Sequence, residues 1–95
     1  MKRVILMIVA SIATTSNAYA FSISDAQTCG RIVGAMVVCG ISRAEQERLL
    51  NRCMSRAQGR AATNALMDGI EQGTRLAPNA PGWSCPDVRR AMRHF

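Results

Sequence analysis

From Ala26 onward, apolar residues fall at Cys29, Ile32 and Val33, Met36, and Cys39 with Gly40, at intervals of three and four. That is the period of an α-helix. Ser24-Asp25-Ala26-Gln27 reads as its start, with Ser24 as cap and Gln27 three residues on. Gly40 reads as its stop, because glycine enters the left-handed conformation that closes a helix at little steric cost. Between Ala26 and Ile41 the only charge is Arg31. A helix so apolar around its circumference is expected at the centre of a bundle or against a partner.

Ser42-Arg43-Ala44-Glu45 is a capping-box sequence, in which serine and glutamate each serve an orphaned backbone N–H. The helix it opens is expected to run from Arg43 to about Gln58 and to bury Leu50, Cys53, Met54 and Ala57, with Gly59 ending or weakening it. A third stretch, from Ala61 or Thr63 to Gln72, carries Ala65, Leu66 and Ile70 and is expected to stop at Gly73. Pro78, Asn79, Pro81 and Gly82 then mark a loop. Ser84-Cys85-Pro86-Asp87 opens a last short helix, with Ser84 as cap and Asp87 near the positive end of the helix dipole. Val88, Met92 and Phe95 line one side of it, and Arg89, Arg90, Arg93 and His94 the other. No strand alternation or internal repeat interrupts the pattern. The expected fold is all-α, a small disulfide-stapled bundle of three to four helices built on an N-terminal antiparallel helical hairpin.

Residues 1–20 follow a different rule. Lys2 and Arg3 precede an apolar run from Val4 to Ala13, broken only by Ser11, and then a polar stretch from Thr14 to Asn17. Ala18-Tyr19-Ala20 sets small residues at the two positions a signal peptidase reads, which places cleavage before Phe21. The apolar run is about half the roughly 20 residues a spanning helix needs, so no transmembrane segment is expected after cleavage. Residues 1–20 therefore read as a signal peptide and 21–95 as a mature helical domain, periplasmic or secreted. Without the signal, ten arginines and no lysine stand against six acids, a net charge of +4.

An exported chain of this size with four cysteines calls for disulfides. Cys29 and Cys39 share one expected helix and lie about 15 Å apart along its axis, beyond the roughly 7 Å that a disulfide spans between Cα atoms. In a hairpin turning at Ile41, residues equidistant from the turn lie side by side, and Cys29 and Cys53 each stand twelve residues from it. The hairpin thus favours Cys29–Cys53 with Cys39–Cys85. The competing arrangement, Cys29–Cys85 with Cys39–Cys53, would set Cys39 opposite a residue two to three turns away. The spacings match neither a redox Cys-x-x-Cys, a haem attachment sequence nor a structural zinc site.

Arg48, Arg52, Arg56 and Arg60 recur at four-residue intervals. Like charges so placed repel by a few tenths of a kcal/mol per pair. The ladder is the candidate partner patch, fitted to an acidic protein or an anionic envelope component; the alternative is a solvated face answered by Asp68 or Glu71 of the next helix. The cationic side of the last helix raises a second class, a cationic membrane-active protein. Ala26, Gly30 and Gly34, four apart, admit a neighbouring backbone or a homodimer seam. Trp83 reads as a loop anchor. His94, the lone histidine, stands one residue from the chain end, and the carboxylates are dispersed. No catalytic set, cofactor or metal site is expected, and no nucleic-acid partner; the chain reads as a non-enzymatic interaction protein.

At Cys39-Gly40-Ile41 with the amphipathic helix after it, and at Cys85-Pro86-Asp87-Val88-Arg89, the chain resembles uncharacterised small exported proteins of Gram-negative bacteria. That resemblance implies a Cys-Gly helix break and an arginine-rich helix, and no activity. Trp83-Ser84-Cys85-Pro86-Asp87 also looks like the helix start of periplasmic acid-stress chaperones, but stands near the opposite end of the chain. Mass mapping of the unreduced protein tests the pairing, with cross-linked peptides joining Cys29 to Cys53 and Cys39 to Cys85 as the expected products.

Overall fold

The computed structural model describes residues 21–95. The expected signal segment, residues 1–20, lies outside the described residues. Four helices follow in order, α1 (Ile23–Val38), α2 (Arg43–Arg56), α3 (Gly59–Leu76) and α4 (Cys85–Met92), and the described residues contain no strand. α1 is the central element and packs against each of the other three helices. It supplies Ala26, Cys29, Ile32, Val33, Ala35 and Met36 to the core, which Ile41, Leu49, Cys53, Ala62, Leu66, Ala77 and Val88 complete.

Chain-local chemistry sets the helix ends. α1 is capped by Ser22 rather than Ser24. The Ser22 hydroxyl accepts the Asp25 N–H, and the Asp25 carboxylate accepts the Ser22 N–H in return. Asp25 closes this reciprocal box from the third helical position, and its charge also suits the positive helix end. α1 closes at Gly40, whose φ is +70°. The Ile41 N–H reaches the Met36 carbonyl and the Gly40 N–H the Val37 carbonyl, which satisfies two of the orphaned carbonyls of the last turn. The buried Ile41 and Met36 supply the apolar pair that accompanies this closure. At the head of α2, Ser42 accepts the Glu45 N–H, the serine half of the expected box.

The two chain reversals make α1 and α2 a hairpin and return α3 parallel to α1. Cys29 on α1 is bonded to Cys53 on α2, with Cα atoms 6.4 Å apart. Cys39, beside the turn, is bonded to Cys85 at the start of α4, with Cα atoms 5.5 Å apart. The first bond also fixes the rotation of α2. Leu49, one turn before Cys53, is buried with it, Leu50 is half-buried, and Met54 is turned outward at 55% exposure. The stripe therefore lies one residue away from the Leu50–Met54 expectation.

α3 departs most from the pattern of its large apolar residues. It starts earlier, at Gly59, and runs through Gly73 to Leu76. Its buried residues are Ala62, Leu66, Gly69 and Gly73, while Ala65 and Ile70 are half-buried and Met67 is 59% exposed. Gly73 is not a stop because it is a contact. A Cβ there would collide with the Arg31 carbonyl oxygen and come within 2.9 Å of the Ala35 nitrogen. Three further glycines behave alike. A Cβ at Gly30 would strike the Leu66 carbonyl, at Gly34 the Ile70 carbonyl, and at Gly69 the Gln27 carbonyl. Two Gly-x-x-x-Gly segments on parallel helices thus interlock, each glycine Cα–H directed at a carbonyl of the opposite helix. Such C–H···O contacts contribute about 0.5–1 kcal/mol each. The face bearing Ala26, Gly30 and Gly34 is accordingly covered by α3 of the same chain.

Alanine normally gains about 1 kcal/mol over glycine inside a helix. At this seam the sign reverses, because the obstacle is backbone and cannot rotate away; overpacking costs about 1–3 kcal/mol. Gly34→Ala and Gly73→Ala should each lower the melting temperature by about 4 °C or more, at roughly 4–8 °C per kcal/mol for a domain of this size. Asn64→Ala on the exposed side of α3 should raise it slightly. Differential scanning calorimetry of the oxidised protein checks both signs.

Candidate functional site

α4 carries only eight helical residues, and its position comes from three separate constraints. Cys85 ties its first turn to Cys39. Val88 is buried, and Met92 and Phe95 are half-buried against the core. A complete capping box closes its start: Ser84 accepts the Asp87 N–H at 3.3 Å, and Asp87 Oδ2 accepts the Ser84 N–H at 3.3 Å and its hydroxyl at 2.7 Å. Arg90 adds an ion pair to the same carboxylate at 3.3 Å. The Ser84 hydroxyl bond holds the Asp87 carboxyl below its ordinary range; partial desolvation opposes it, and the Ser84 N–H and the Arg90 charge add smaller lowering effects.

So anchored, α4 lies across from α2 and leaves a groove of about 300 Å³ lined by Glu45, Arg48, Leu49, Arg52, Met92 and Arg93. Its floor is the buried Leu49 and the half-buried Met92, and its rim carries three exposed guanidinium groups. The sequence pattern pointed to Arg48 and Arg52 here. It missed Arg93, which caps the C-terminal end of α4, far along the chain, and is held at the groove by the Cys39–Cys85 bond.

The rest of the ladder is distributed differently from its spacing. Arg56 ends α2, where a cation complements the negative end of the dipole. Arg60 belongs to α3, beyond the extended residues Ala57 and Gln58, so the four arginines do not share one helix. It sits in the first turn of a helix that has no side-chain cap and no acid there, the end at which a cation is unfavourable.

All four ladder arginines are exposed. Among the described residues none forms an ion pair, whereas Arg43 pairs with Glu47, Arg75 with Glu71, and Arg90 with Asp87. Neither Asp68 nor Glu71 answers the ladder. Glu45 shares the groove without closing to ion-pair distance of Arg48 or Arg52. His94 is exposed near the chain end. Among the described residues no three His, Cys, Asp or Glu side chains gather as a metal-binding group, and no helix is long and apolar enough to cross a membrane. Trp83 is half-buried, with its backbone N–H donating to the Ala80 carbonyl at 2.9 Å, and it packs on the core while lining a second cavity.

No protein-family model matches the chain, and no curated protein or solved structure matches it.

Because the Asp87 carboxyl is held below its ordinary pKa, the cap contributes fully above the unfolded value of about 3.9 and is lost as pH falls through the lower folded value. Ser84→Ala should cost about 1 kcal/mol at neutral pH, the usual worth of such a cap. The stability gap between the native protein and Asp87→Asn should shrink as pH drops below about 4. Urea unfolding across pH 2.5–7 checks this; a gap independent of pH would remove Asp87 from the cap.

Proposed function

We propose that the protein is an exported, non-enzymatic binding module that recognises an acidic protein surface through the arginines of α2 and the start of α3, extended by Arg93 at the C-terminal cap of α4. The observation that carries this reading is a set of exposed arginines with no carboxylate partner among the described residues, of which Arg48, Arg52 and Arg93 line one groove. A solvated helix face ordinarily softens such a row with acids at three- and four-residue spacing, as Arg43 and Glu47 do one turn earlier. Glu45 stands three residues before Arg48, and from Arg52 to Arg60 no acid stands at that spacing. The missing term is what a carboxylate-rich partner supplies, and the planar guanidinium fork engages carboxylates at two points.

The groove gives the patch an interface-like anatomy. Leu49 and Met92 offer apolar surface at the centre and arginines stand at the rim, the arrangement of a desolvated core within a polar ring. A membrane-surface role finds less support, because the apolar side of α4 faces the protein's own core.

The double charge reversal Arg52→Glu with Arg56→Glu should abolish capture of an acidic partner from envelope extract while leaving the melting temperature within a few degrees, since both side chains are exposed. Binding at native strength by the reversed protein would sink the patch. Anionic vesicles should stay intact with either form; leakage caused by the native protein alone would move the reading to the membrane.

A further inference from the structure

Outside the arginine patch, a cavity of about 440 Å³ lies between α1, α3 and the loop before α4, lined by Arg31, Gln72, Arg75, Leu76 and Trp83. It shares no lining residue with the α2–α4 groove. Its volume is within the range of small-molecule sites, which combine apolar walls with a few fixed polar groups.

Arg31 is its distinctive element. It is the only cation of α1, and it is half-buried on a helix whose one other charge is Asp25 in the first turn. Its backbone is clamped in the glycine seam: a Cβ at Gly69 would lie 3.0 Å from the Arg31 nitrogen, and one at Gly73 would strike the Arg31 carbonyl. Its side chain is fixed as well, since Nε donates to Gln72 Oε1 at 2.7 Å, an oxygen that also accepts from Gln27 Nε2 at 3.3 Å. That bond uses one of five guanidinium donors. Among the described residues the terminal amino groups have no acceptor, and no carboxylate lies within ion-pair distance of Arg31. Arg75 is different, because Glu71 on the preceding turn already engages it. The cavity therefore holds one oriented and unneutralised guanidinium, beside a half-buried indole and a leucine.

We propose that this cavity binds a carboxylate carried on an aromatic or branched aliphatic group. The free edge of the Arg31 guanidinium would take the carboxylate in two hydrogen bonds, and Trp83 with Leu76 would cover the apolar group. A free organic acid and the C-terminal residue of a peptide present the same chemistry.

Trp83 is the only tryptophan of the chain, so its fluorescence reads the cavity directly. The oxidised protein is titrated with N-acetyl-phenylalanine, with its primary amide, and with a tetrapeptide ending in phenylalanine with a free carboxylate. A saturable change with the acid and none with the amide is expected. Arg31→Gln should weaken acid binding about tenfold or more. Glu71→Gln, an exposed substitution that releases Arg75, should tighten it by about threefold. A tighter tetrapeptide assigns the cavity to chain ends, and a tighter free acid assigns it to small acids. Equal responses to acid and amide, no response to either carboxylate, or unchanged binding in folded Arg31→Gln or Glu71→Gln would overturn the proposal.

Discussion

The backbones of α1 and α3 meet without side chains between them, and most of the architecture depends on that approach. Gly30 and Gly34 face the carbonyls of Leu66 and Ile70, and Gly69 and Gly73 face those of Gln27 and Arg31. Four glycines inside helices sacrifice about 3–4 kcal/mol of helix propensity relative to alanine. The loss is offset locally, because the seam brings backbone dipoles and main-chain atoms into contact over two turns and leaves no void for a side chain to fill. It also imposes topology. The order of contacts, Gln27 with Gly69 and Arg31 with Gly73, makes the two helices parallel, so α2 must run back along them. Its position is then secured by the Cys29–Cys53 bond and by Leu49 rather than by a broad interface.

Stability is consequently divided between two unlike devices. The core contains no aromatic side chain among its fully buried residues and is led by Met36, Leu66 and Val88 with the Cys29 and Cys53 sulfurs. In the chain-entropy account, disulfides with sequence separations of 24 and 46 residues contribute roughly 3.5 and 4 kcal/mol. Each is comparable in size to the propensity sacrificed at the seam. The seam supplies specificity of approach, and the disulfides hold the two helices that it does not reach.

The class, the helix count and the hairpin were legible because they rest on local signals. The caps at Ser42 and Ser84, a Gly40 closure and three-to-four spacing are properties of a few adjacent residues, and the place of Cys29 and Cys53 about the turn is simple arithmetic. What the large apolar residues misstate is the inner face of α3. Leu66 and Ile70 alone define a stripe that makes Gly73 look like a terminator, whereas Ala62, Leu66, Gly69 and Gly73 form the buried one. The available signal was the repetition of a Gly-x-x-x-Gly spacing at 30–34 and 69–73. Hydrophobic periodicity cannot register it, because glycine contributes almost nothing to an apolar stripe. Register likewise hid the α2 surface: Leu49 in place of Leu50 follows from the rotation set by Cys53, a tertiary restraint. The candidate site was half legible for the same reason. Arg48 and Arg52 are near in sequence, but Arg93 joins them only through a bond between residues 46 apart.

That bond also explains how the fold tolerates its own repulsion. The Cys39–Cys85 link and the burial of Val88 leave α4 little freedom to swing Arg93 away from Arg48 and Arg52. Repulsion among exposed guanidinium groups amounts to a few tenths of a kcal/mol per pair, roughly a tenth of what one such disulfide contributes. The covalent term wins by a wide margin, and the charges stay together. A bundle held only by apolar burial would relieve the strain by letting α4 fray, since eight residues are too few to persist as an isolated helix. The disulfide thus converts a mild electrostatic penalty into a standing surface potential, confined to α2, α4 and the start of α3. The α1–α3 side carries the opposite arrangement, a single guanidinium fixed by Gln72 beside Trp83. One surface concentrates several exposed cations, and the other orients one.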